Sequence, residues 1–119
     1  MVWFAAVWTA GVALLHLYIL WLEMFLWTRP AGLRAFGMTA EQAQATQTLA
    51  ANQGLYNGFL AAGLLWGLWW GGAEGLAVQR FFLVCVLVAG LYGAATASRK
   101  ILWIQAVPAA VGLLLGAMV

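Results

Sequence analysis

Four long apolar runs separated by polar breaks organise the chain: residues 2–27, 50–70, 81–97 and 101–118. At a rise of about 1.5 Å per residue, each crosses or nearly crosses a hydrocarbon core of about 30 Å. The third and fourth are short for this task, so they stand close to the membrane normal. Arg29 and Pro30 end the first run, because the residue before proline avoids helix. Gly71 and Gly72 end the second.

The only long polar stretch, residues 29–49, separates the first two runs. It is not read as a plain loop. Thr39 followed three residues later by Gln42 fits a capping box, and good helix formers continue to Asn52. The second helix is therefore expected over residues 40–70, projecting beyond the bilayer before entering it. The predicted fold is an all-α membrane protein, a four-transmembrane-helix up-down bundle forming one domain over residues 1–119. Its helices lie at about 2–27, 40–70, 81–97 and 101–118, with the second extended into the cytoplasm.

Charge sets the orientation. Arg29 and Arg34 share a face with Arg99 and Lys100, and Arg80 lies opposite. The positive-inside rule puts the richer face in the cytoplasm and both termini outside, as a multi-pass protein of the inner (plasma) membrane. No basic n-region precedes the first helix, which is expected to stay in the mature protein. Small residues at four-residue spacing, Gly54, Gly58 and Ala62, then Ala89, Gly93 and Ala97, are expected to form packing seams.

Composition supports this class. Of 119 residues, 66% are hydrophobic and 7% charged, far below the roughly 25% charged of soluble domains. The net charge of +2 comes from residues flanking the apolar runs, and no basic stripe suits a nucleic acid. Cys85, the single cysteine, lies in an apolar run and is read as packing. Most of the eight tryptophans fit an interfacial belt, with Trp3, Trp27, Trp69 and Trp70 near span ends and Trp21 facing lipid or another subunit.

The informative exception is a histidine and a glutamate inside the first apolar run. An acidic side chain at a helix centre costs about 2.5–3.5 kcal/mol on an insertion scale, so such residues have a partner or a task. His16 and Glu23, seven residues apart, share a face but stand about 10.5 Å apart along the axis, too far to touch. Helix two offers Asn52, Gln53, Tyr56 and Asn57 at the depth of Glu23. Arg99 and Lys100 end helix three on the same side. Glu23, Asn52, Gln53, Asn57 and Arg99 are thus expected to converge as a ligand-binding pocket near the cytoplasmic mouth, with His16 either part of it or a satisfied core histidine.

Several chemistries are excluded or left open. The chain has no aspartate, hence no Ser-His-Asp triad, and no basic group near Cys85 to activate it. His16 and Glu23 are too far apart for a common metal ion, and neither metal nor cofactor is expected. Acid–base chemistry by Glu23 or His16, or polarisation of a substrate by Arg99, stays open, so whether the chain is an enzyme stays open too.

The stretches around His16–Ile19 and Leu22–Phe25, Phe36–Met38, Ala51–Gly63, Ala89–Gly93 and Ser98–Lys100 resemble an integral-membrane family of bacteria and fungi, domain of unknown function 1304. This resemblance covers nearly the whole chain and implies architecture without an activity. In topology the chain also resembles the membrane-associated proteins in eicosanoid and glutathione metabolism, trimers that bind glutathione between subunits. Of their Arg-x-x-x-Asn-x-x-Glu pattern, residues 45–59 supply Asn52 but neither the arginine nor the glutamate, so the likeness is topological.

Three functions fit these residues. The first is a polar pocket that binds, and in an enzyme transforms, a hydrophobic or amphiphilic small molecule or lipid. The second is a structural or accessory membrane subunit. The third is a small oligomeric proton-coupled exporter. A homo-oligomer, trimer or dimer, is expected as partner state.

Overall fold

The computed structural model describes residues 2–119, which are almost entirely helical and, as described, contain no strand. The order is α1 (Val2–Phe25), α2 (Pro30–Phe36), α3 (Ala40–Ala45), α4 (Gln47–Trp70), α5 (Gly72–Thr96), a π-helical segment (Leu102–Ala106) and α6 (Val107–Ala117). The helices α1 and α5 are long and apolar enough to cross a membrane, and the apolar stretch Leu102–Ala117 is shorter. Contacts divide the chain into two compact units: Leu14–Ala61, and the residues up to Ala13 together with Ala62–Val119.

In the Leu14–Ala61 unit, α1 ends at Phe25, two residues earlier than expected, and the chain folds back into a helix the hydropathy pattern did not predict. Pro30 opens α2 at its first position, where its missing N–H is no loss. Gly37 closes α2 at φ 61°, and Met38 N–H donates to the Leu33 carbonyl at 3.0 Å. Gly32 is buried against the end of α1, where a Cβ would collide with the Leu26 carbonyl.

The expected capping box is present: Thr39 Oγ1 accepts from Gln42 N–H at 3.1 Å, and Gln42 Oε1 accepts from Thr39 N–H at 3.0 Å. The expected unbroken helix over 40–70 is not. It breaks at Thr46 (φ −112°, ψ 8°), whose hydroxyl donates to the Gln42 carbonyl at 2.8 Å and accepts from Trp27 Nε1–H at 3.1 Å. A threonine bonding back to position i−4 bends a helix.

In the other unit, the third helix starts at Gly72 rather than 81. Gly71 and Gly72, at φ 74° and 65°, make a tight turn that side chains would strain. Ala73, Glu74 and Leu76 then favour helix at once, with Glu74 in the first turn where the macrodipole welcomes an acid. Gly67 and Gly75 let α4 and α5 approach so closely that a Cβ on Gly75 would strike the Gly67 carbonyl.

The expected helix over 101–118 opens in π register, with Val107 N–H donating to Leu102 O. Pro108 has no N–H to give the α ladder, and the wider turn absorbs this. Gly90 fits against the π segment, where a Cβ would lie 2.5 Å from Ala106 N. The α5 seam accordingly runs through Leu83, Val86 and Gly90, all buried, while Ala89 and Ala97, expected on it, are exposed. Trp8 Nε1–H donates to the Pro108 carbonyl at 2.9 Å, and Arg80 Nη2–H to the Gly116 carbonyl near the end of α6 at 3.1 Å.

Candidate functional site around Glu23 and Asn57

The site lies in the Leu14–Ala61 unit, where α1 and α4 meet. Gly54 and Gly58, one turn apart on α4, face α1: a Cβ on Gly54 would come 2.6 Å from Met24 Cγ and 3.1 Å from Glu23 Cβ, and one on Gly58 2.7 Å from Leu20 Cδ1. Leu20, Glu23 and Met24 are themselves neighbours on one face of α1 at spacings of three and four. Small residues on one helix against larger ones on the other bring the backbones together.

That approach puts Asn57 opposite Glu23. Asn57 Nδ2–H donates to Glu23 Oε1 at 2.5 Å, and both residues are buried, at 7% and 6% exposure. A carboxylate has roughly four lone-pair sites, and Asn57 takes one of them. The partner is a neutral amide, so the bond satisfies an oxygen without neutralising a charge.

Of the other residues expected here, His16 is completely buried on α1, two turns before Glu23, and has an interaction partner. Ala5, Thr9, Val12 and His16 are buried along α1 at three- and four-residue spacing, and Glu23 lies on the same face two turns further on. Asn52 and Gln53 are exposed on α4. Gln53 stands one turn before Asn57 on α4 but is turned out to the exposed side. Arg99 and Lys100 are exposed and belong to the other unit. Among the described residues, no three histidine, cysteine or carboxylate side chains cluster as metal ligands, and no buried side-chain nitrogen or oxygen lacks a hydrogen-bond partner.

The Trp27–Thr46 bond was not foreseen, and nothing in the local sequence at either position signals it. Asn57 is followed by Gly58 as Gln53 is by Gly54, so the glycine spacing marks the α4 face that meets α1 without choosing between the two amides.

The family model described as "Protein of unknown function (DUF1304)" matches residues 10–117, which include the whole Glu23–Asn57 site. The chain belongs to this family. A relative, the uncharacterized protein YpaA of Lactococcus lactis subsp. lactis, is 35% identical over 96 residues, covering 79% of this chain and 80% of that protein. No solved structure matches the chain.

Proposed function

We propose that this member of the family is a multi-pass protein of the inner (plasma) membrane that binds an amphiphilic small molecule or lipid through Glu23 and Asn57. In this reading α1, α4, α5 and the stretch Leu102–Ala117 are the four spans, and both termini lie outside the cytoplasm. Large exposed apolar side chains on every one of them support a lipid surround, among them Leu14, Phe59, Val88 and Leu114.

The observation that carries the binding role is the buried Asn57–Glu23 hydrogen bond, in which a carboxyl group is held by a neutral amide. Its remaining lone pairs suit the N–H or O–H groups of a polar head. An apolar tail would lie along the exposed faces of α1 and α4.

The test is native mass spectrometry of the full chain, gently extracted from membranes, beside Glu23→Gln. That substitution keeps an acceptor for Asn57 and removes the ionisable group. Retention of an amphiphile by the wild type and its loss from a folded Glu23→Gln variant is the expected result. Equal retention by both, or no bound molecule in either, rejects the reading.

A structural subunit is the second reading, favoured by the complete satisfaction of buried polar side-chain atoms among the described residues. It requires that substituting both Glu23 and Asn57 by leucine leave every association of the protein unchanged.

A further inference from the structure

Far from the Glu23 site along α4, the last turn and a half of that helix carries three tryptophans, Trp66, Trp69 and Trp70. At 100° per residue they occupy an arc of about 100° on one side of the helix. All are exposed, at 49%, 83% and 47%. Trp66 and Trp70 lean toward each other, with ring centroids 5.4 Å apart and planes inclined by 40°. The three indoles line a groove of about 450 Å³.

Anchoring at the lipid interface explains single tryptophans at span ends. It does not require three on one arc or two ring faces set at an angle around a groove. The rings themselves set the electrostatics of the groove. Indole faces carry the negative part of the ring quadrupole, while the negative end of the α4 macrodipole is offset by the positive end of α5, which opens at Gly72. Glu74 is exposed just past the Gly71–Gly72 turn. Arg80, the cation in the first turns of α5, has its Nη2–H committed to the Gly116 carbonyl.

We propose that the Trp66–Trp69–Trp70 groove holds the quaternary ammonium of a choline phospholipid headgroup. A trimethylammonium spreads its charge over methyl groups, sheds water cheaply and can rest on several ring faces at once. An anionic glycerol headgroup is disfavoured by the same ring faces. The proposal rests on the membrane-spanning reading, since only a spanning α4 brings its end to headgroup level.

The full chain is reconstituted into vesicles of equal parts phosphatidylcholine and phosphatidylglycerol, floated on a density gradient, then extracted and its retained lipids counted by native mass spectrometry. The choline lipid is expected to be retained about fivefold over the glycerol lipid, the gain from two partly exposed ring contacts. Trp66→Leu/Trp70→Leu brings the ratio to one. Trp66→Phe, which keeps an aromatic ring with a weaker face, gives an intermediate ratio, and Trp103→Leu leaves it unchanged. A ratio of one for the wild type while the chain floats overturns the headgroup proposal and leaves the membrane reading standing. So does a preference that survives the double substitution. A chain that does not float with the vesicles overturns both.

Discussion

The two units pack their helices by different means. Where α5 meets the helix over Leu102–Ala117, contact is glycine against backbone, Gly90 on Ala106, with the apolar Leu83 and Val86 buried alongside. Where α1 meets α4, glycines again allow approach, but the seam also buries a glutamate and an asparagine bonded to each other. Helix association in this chain is therefore achieved without a buried carboxylate where apolar contact suffices. Glu23 is an addition to packing, and burying its carboxyl group carries a desolvation cost. Under the proposed function that cost is borne for binding.

The comparison breaks first at the glycines. Gly90→Ala places a Cβ 2.5 Å from Ala106 N and 2.9 Å from Ala106 Cα, atoms that move only with the helix. The expected loss is about 3 kcal/mol, read as a lowered thermal midpoint by circular dichroism in detergent. Gly54→Ala meets mainly Met24 Cγ, part of a flexible side chain, so about 1 kcal/mol is expected in the same assay. Equal losses would mean that the two seams are equally rigid.

The buried pair is tested by unequal substitutions. Asn57→Leu leaves the Glu23 carboxyl buried without its donor and should cost about 2 kcal/mol. Glu23→Leu/Asn57→Leu removes both polar groups and should return to within about 1 kcal/mol of the wild type, as apolar replacement of buried polar pairs often does. Ligand retention should nonetheless stay abolished in the double variant. Recovery of stability without recovery of binding separates the function of the pair from its place in the fold.

The boundaries that local chemistry controls were legible in the chain. Gly71–Gly72 stops α4 and Thr39 with Gln42 starts α3, because both signals act within a turn. Helix rotation was not. Ala89 and Gly90 differ by 100° of azimuth, and only packing against Ala106 selects the glycine. The same holds for the amides: Asn52, Gln53 and Asn57 lie within two turns, and rotation buries Asn57 alone. The early start of α5 was hidden because residues 72–80 are less apolar than those that follow, although their helix propensity is good. The extent of the apolar runs fixed where helices lie more firmly than which residues they present.

The smallest effect concerns the break between α3 and α4, where Thr46 accepts from an indole nineteen positions away. Trp27→Phe keeps a ring against Phe36, 4.7 Å from Trp27 between centroids, but loses the donor to Thr46 Oγ1. The bond is exposed, so about 0.5 kcal/mol is expected. Thr46→Ala acts at the other end and removes the hydroxyl that bonds back to Gln42 as well. If that hydroxyl bends the chain, Thr46→Ala should merge α3 and α4 into one helix, lengthening the distance between spin labels at positions 41 and 55 in a pulsed resonance measurement. Trp27→Phe should leave the distance nearly unchanged, because the Thr46–Gln42 bond survives it. An identical distance in all three proteins would assign the break to the fold of α2 against the end of α1 instead, where Gly32 sits on the Leu26 carbonyl.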